Sequence, residues 1–255
     1  MCMPCRSFVV AGWANAWLAG ATGVDDVLDA VRAWPPGGPA LVGHHVYAAD
    51  EHALGILDSH EALPLPQALI RLRMAGADAF ALALPEPGDP LGLAGPRGFT
   101  EDAIDIGEAV LAVGVDVGLV PHVIGAGVQW AASLAHAPAP VSAAESDERL
   151  VRAMAAAVDT LSSRAGESGP LAWPADSGPA DLDRRRLDAG QHLPPNLPRR
   201  CERLMSRAQV CQAVLEQVRA DPGLFAVAQE LSAAARRAAV AVAGVSRGSV
   251  RQARP

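Results

Sequence analysis

The sequence predicts an α/β protein: a mixed, partly parallel sheet with flanking helices, followed by a C-terminal helical hairpin. Three observations carry this expectation. Short apolar runs alternate with amphipathic segments through the first 165 residues, the order that builds sheets with crossover helices. Near the C-terminus the pattern changes to apolar residues spaced 4,3,4,3,4,3, the seam of a packed helix. And half of the 255 residues are apolar while 19% are charged, far too hydrophobic for a disordered chain and enough to fill a core.

The elements follow in order. Residues 8 to 19, FVVAGWANAWLA, read as a buried N-terminal helix. The stretch is too short to span a bilayer, Asn15 interrupts it, and only Arg6 precedes it as a charged flank, so a signal peptide is not expected. Val24 to Trp34 is a helix with Asp25 and Asp26 in its first turn, at the positive end of the dipole, and PPGGP stops it. Leu41 to Ala48 reads as a strand, and Ala53 to Leu57 as a strand pairing back on it. Pro66 to Ala75 is helical, with Gly76 as its stop. Ala79 to Leu84 has the continuous apolar pattern of a strand buried on both faces, and it runs into the rigid loop PEPGDP. Thr100 is the expected N-cap of a helix reaching Val113 and stopping at Gly114. Val115 to Ile124 and Val128 to Leu134 are strands. A helix opens at Glu145 or Ser146, runs to about Ser163, and is ended by Gly166.

Residues 166 to 192 are rich in Gly, Pro, Ser and Asp and read as a linker. Beyond it, Leu197, Cys201, Leu204, Ala208, Cys211, Leu215 and Val218 line one helix, with Pro198 in its first turn. Asp221-Pro222-Gly223 breaks it, and Leu224, Val227, Leu231, Ala234 and Ala238 line the next. The expected organisation is an α/β body at 1–165, a linker at 166–192, a helical hairpin at 193–243 and a basic tail at 244–255.

Composition excludes several chemistries. No lysine occurs, and all 21 basic side chains are arginine. A phosphate-cradling P-loop, a protein kinase and a Schiff-base enzyme each require a lysine amine that arginine cannot replace. Aromatics are scarce, five Trp, four Phe and a single Tyr, with no RRM-like signature and no interleaving with basic residues, which argues against a base-stacking nucleic-acid surface. Cys2 and Cys5 have C-x-x-C spacing but no strand precedes them, and Cys201 and Cys211 are not a second metal pair. No metal and no cofactor is expected. Gly125-Ala126-Gly127-Val128-Gln129-Trp130 opens like a dinucleotide fingerprint, but Trp130 stands where a small residue must allow helix and strand to touch. Charge divides with the architecture: residues 1–180 hold 8 Arg and 21 acids, and residues 181–255 hold 13 Arg and 7 acids. The plain reading is that the hairpin docks on its own acidic body.

The stretches LALPEPGDPLGLAGP (82–96), VGLVPHVIGAGVQW (117–130) and HLPPNLPRRCERLMSRAQVCQAVLE (192–216) resemble a family of uncharacterised proteins from high-GC actinobacteria. The resemblance covers residues 40 to 240 and rests on a PxPGDPLGL loop. It implies one shared architecture and a bacterial cytoplasmic setting, and it implies no activity.

Candidate chemistry lies at strand ends, where open α/β sheets bind ligands. His44 and His45, Asp89, and His122 are the candidate catalytic groups if the three main strands run parallel. Pro87, Gly88, Gly125 and Gly127 are the candidate ligand-loop residues. His52 and His60, with Asp50 and Asp58, read as solvated loop residues. The expectation is a soluble cytoplasmic binding or scaffolding protein without catalytic activity, its partner another protein or a second copy. A small-molecule enzyme using those His and Asp groups is the first alternative, and nucleic-acid contact through the Arg-rich C-terminus the second. No membrane association is expected.

Overall fold

The computed structural model describes residues 5–34, 41, 43–91, 93–168, 193–218 and 222–245. Cys2, the PPGGP stop, residues 169–192 of the linker, Asp221 and residues 246–255 of the basic tail lie outside the described residues.

Helix α1 (Arg6–Leu18) is apolar on nearly every side and is buried accordingly. Its N-cap, Cys5, supplies no side-chain hydrogen bond; instead the buried Glu108 carboxylate accepts from the Ser7 amide at 2.7 Å. An anion thus sits on the positive end of a buried helix. Helix α2 (Val24–Arg32) follows with Asp26 accepting from the Gly23 amide. Strand β1 (Gly43–Ala48) leads into helix α3 (Glu51–Leu57), which corrects the expected hairpin. Asp50 is the reason: its Oδ1 accepts from the Ala53 amide at 2.8 Å and caps the helix, while Oδ2 accepts from the Leu134 amide at 2.7 Å. His52 is bonded too, through Nε2 to the Val115 carbonyl at 2.9 Å.

Strand β2 (Leu63–Pro64) and helix α4 (Leu65–Ala75) come next, then β3 (Ala79–Ala83). Helix α5 (Arg97–Ile106) starts three residues before the expected cap, leaving Thr100 inside the first turns. It stops at Gly107 in the left-handed conformation, so Ala109–Val113 is strand β4 rather than the end of a helix. Strands β5 (Val117–Ile124) and β6 (Gly127–Leu134) form a hairpin. Helix α6 (Ala143–Ser168) runs through Gly166, which does not end it. Helices α7 (Arg199–Val218) and α8 (Phe225–Gly244) form the expected pair, joined through a 3₁₀ turn at Pro222–Leu224. Leu197, Cys201, Leu204, Ala208, Cys211 and Leu215 are buried along the predicted seam.

The six strands make one mixed sheet in the order β2-β1-β6-β5-β4-β3. Only β1 and β6 pair in parallel; β3 to β6 form an antiparallel meander. The two faces differ. One carries Val46, Phe80, Leu82, Val110, Leu119 and Trp130 into a core shared with α1, α4, α6, α7 and α8. The other carries Ala81, Ala83, Leu111 and Val120 against Phe99 and Ala103 of α5. Helix α8 packs on α1, β3, α6 and α7; its buried face is largely alanine, which lets the backbones approach closely.

The exposed edge of β3 is closed by two buried polar side chains. Asn15, fully buried in α1, donates to the Phe80 carbonyl at 2.7 Å and accepts from the Phe80 amide at 2.8 Å. Its Nδ2 also donates to the Ala243 carbonyl of α8 at 3.1 Å. Arg236 of α8, 2% exposed, donates to the Leu84 carbonyl at 2.7 Å. Part of the unpaired strand edge is thereby satisfied without a seventh strand. Among the described residues no helix is long and apolar enough to cross a membrane.

Candidate functional site

Topology decides which candidate residues can meet. Strand β1 runs antiparallel to β3 and β5, so the premise of three parallel strands fails. The amino end of β1 therefore lies beside the carboxyl end of β5, with Gly43 opposite Gly127. Strands β6, β5 and β4 separate β1 from β3, roughly 19 Å at one strand spacing per step.

His44 and His45 alternate in β1 and face opposite sides. His44 turns into the helix-covered core, 3% exposed. Trp130 Nε1 donates to its Nδ1 at 3.4 Å, which leaves the proton on Nε2, and that nitrogen has no partner. Burial, and after it the nearby Arg6 guanidinium, push its pKa down to about 4, so His44 is neutral at pH 7. His45 faces the α5 side and is exposed. It pairs in register with Gln129, and Gln129 with His122, so the three share one row with the imidazoles about 10 Å apart at the backbone. His122 is held from the other direction: its Nε2 lies 3.0 Å from Asp102 Oδ2 on α5. With Nε2–H donated to the carboxylate, Nδ1 is the nitrogen left to accept a proton.

Asp89 sits elsewhere. Its Oδ2 is 2.8 Å from Arg236 Nη2 and its Oδ1 is 3.4 Å from Arg237 Nη2, and Glu86 adds a contact to Arg236 at 3.3 Å. The loop that carries it is a tight turn. Glu86 and Asp89 exchange both backbone hydrogen bonds, at 2.9 and 3.0 Å, across Pro87-Gly88. Proline presets the first central position and Gly88, at φ 84°, takes the second, the pairing a type II turn demands. Gly125 and Ala126 are the two-residue loop of the β5–β6 hairpin, with Gly125 at φ 59°. Gly127 begins β6, where a side chain would crowd the Gly43 carbonyl of the parallel neighbour. The four candidate loop residues thus have backbone roles at two separate turns.

The structure brings together His45, Gln129 and His122 with Asp102, and it joins Tyr47, Ser133 and the exposed Ile124 to the same side of the sheet. Helix α5 covers only the β3–β4–β5 half of that side. On the β1–β6 half His45 and Gln129 are exposed, Tyr47 and Ser133 half-buried, and Ala131 between them buried. Sequence reasoning missed Asp102 and Gln129. The signal for Gln129 was its alternation with Val128 and Trp130; Asp102 could be found only once α5 was known to lie across β5. It also missed Arg236, whose charge in an alanine-rich helix face is the mark of a buried pair.

A family model described as "Rv1486c-like protein, N-terminal domain" matches residues 7–145. The uncharacterized protein Rv1486c of Mycobacterium tuberculosis is 39% identical over 131 residues, which is 47% of this chain and 44% of the relative. The uncharacterized protein MAV321 of Mycobacterium avium is 37% identical over 132 residues, covering 47% and 43%. The uncharacterized protein ML1804 of Mycobacterium leprae is 34% identical over 140 residues, covering 47% and 46%. The chain thus spans less than half the length of the curated relatives it matches. No solved structure matches.

Proposed function

This chain belongs to the Rv1486c-like protein family, an uncharacterised actinobacterial family, and we propose that it is a cytoplasmic binding protein that engages a protein partner through the β1–β6 half of the sheet side on which α5 lies. One observation carries the reading. The β1–β6 half of the α5 side exposes His45 and Gln129, with Tyr47 and Ser133 half-buried beside them and Ile124 more than half exposed at the hairpin tip. That is a mixed polar and apolar rim on a rigid sheet, the composition of a protein-binding patch rather than of a core. Asp89 and His44, by contrast, are committed to an ion-pair cluster and to the core.

A photo-crosslinking residue at position 129, used in the host cell, tests the reading. Adducts that map to one protein, or to a second copy of this chain, are expected. They should disappear on Ile124→Asp with the melting temperature unchanged. A strict monomer in light scattering together with no adduct at position 129 overturns it.

A second reading, proton transfer at the same face, is supported by the His122–Asp102 contact, which orients the ring for general acid-base work. A screen of hydrolase and isomerase substrates decides it. Turnover lost in His122→Ala supports it; no turnover, or turnover equal in the variant, removes it.

A further inference from the structure

We propose that the cleft where α6 begins, between the loop after β3 and helix α8, binds a small organic carboxylate with an apolar body. The cleft has a volume of about 320 Å³, which suits a metabolite rather than a cofactor of drug size. Its walls are Leu91 and Pro90 from the loop, Val141 before α6, and Val240 on α8, and these supply the apolar surface.

The polar groups are placed for an anion. Arg149 lines the cleft from the second turn of α6 and makes no ion pair or hydrogen bond with another described residue. Arg237 lines it from α8 and is engaged only at 3.4 Å by Asp89, whose nearer contact, at 2.8 Å, goes to Arg236. Two guanidinium groups with spare donors therefore face one small space, and a planar fork is the natural partner of a carboxylate. Ser146 is the independent sign of a missing partner. It lines the same cleft, it is 1% exposed, and its hydroxyl has no hydrogen bond. A buried hydroxyl without a partner costs free energy that a bound acceptor recovers. The positive end of α6 adds to the same field. Two carboxylates share the wall: Asp89, which Arg236 and Arg237 hold, and the exposed Glu145, unpaired among the described residues, which makes an ammonium group on the ligand's α-carbon acceptable as well.

Calorimetry on the full chain with three probes of one carbon skeleton tests this: isovalerate, L-leucine and isoamylamine. Saturable binding of isovalerate, leucine or both is expected, at dissociation constants no weaker than about 10 mM. Arg149→Gln should weaken it about ten-fold or more. Ser146→Ala should weaken it while leaving the unliganded melting temperature unchanged or raised, because the hydroxyl it removes satisfies nothing. Arg149 is exposed, so its variant should fold, and an unchanged circular dichroism melt verifies that. Absence of binding by both acids, binding of the amine alone, or binding untouched by Arg149→Gln overturns the proposal. None of these outcomes bears on the sheet face, because the cleft lies on the opposite, helix-covered side with α8.

Discussion

Asn15 interrupts an otherwise apolar helix, and the fold explains why an amide is there. Its oxygen and nitrogen reproduce the pairing of a neighbouring strand on Phe80, and its second N–H reaches Ala243. Asn15→Leu keeps the branching and heavy-atom count and removes all three bonds, leaving the Phe80 amide and carbonyl buried without partners. The expected loss is about 2–5 kcal/mol, read from urea midpoints. His44 makes a different residue-scale prediction. Its pKa is about 4 in the folded protein against 6.5 ordinarily, so the unfolded chain binds the extra proton between those values. Its contribution is full above pH 6.5 and fades as pH falls toward 4, a loss of up to about 3 kcal/mol. His44→Gln should flatten the wild-type fall in stability between pH 7.5 and 4.5; equal falls in both proteins would refute the assignment. Both roles were hidden in the sequence for the same reason. Alternation told that one of His44 and His45 faces inward, but only the packing of β1 beside Trp130 of β6 under the helices told which.

At the scale of elements, the regular segments were legible wherever a local signal was strong. The 4,3,4,3 seam of α7 and the Pro-Gly turn after β3 follow from spacing and from fixed dihedrals, and both stand as expected. Two errors share one cause. Ala53–Leu57 and Ala109–Val113 are short apolar runs, which periodicity alone cannot assign to helix or strand. Caps decided them: Asp50 started a helix where a strand was expected, and Gly107 ended one before a strand. Asp50→Ala is the test at this scale. It removes the α3 cap and the acceptor of the Leu134 amide together, so a loss of about 1–3 kcal/mol is expected, more than a cap alone. Hydrogen exchange should accelerate at Ala53 and at Leu134 and not elsewhere. Of the candidate site, the residues were visible but their association was not, because it depended on strand direction.

Across the whole molecule, the division of charge becomes a docking device. Arg236 and Arg237 of α8 hold Glu86 and Asp89, and Arg207 of α7 reaches Asp147 at the start of α6. The last pair is half exposed and contributes little. Arg236 is another matter: its guanidinium is buried and also donates to the Leu84 carbonyl. Because the two carboxylates keep about a third of their surface in water, Arg236→Met should cost about 2–4 kcal/mol rather than the full penalty of a buried charge left alone. The cost should change little with added salt, since the pair is shielded from it.

The same contacts bear on how far the region matched by the family model is self-sufficient. That match ends at residue 145, yet α1, β3 and α8 contribute to one continuous core. Without α8 the edge of β3 would lose Arg236, Asn15 would lose one of its acceptors, and the apolar faces of α1 and β3 would meet water. A fragment of residues 1–145 should therefore unfold without a sharp transition and bind a hydrophobic dye, while the full chain melts as one unit. Adding residues 193–245 in trans should restore cooperativity if the packing of α8 is what the fragment lacks. A fragment that melts sharply by itself would show instead that α8 rests on a body already complete, and that Asn15 and Arg236 fasten it rather than finish it.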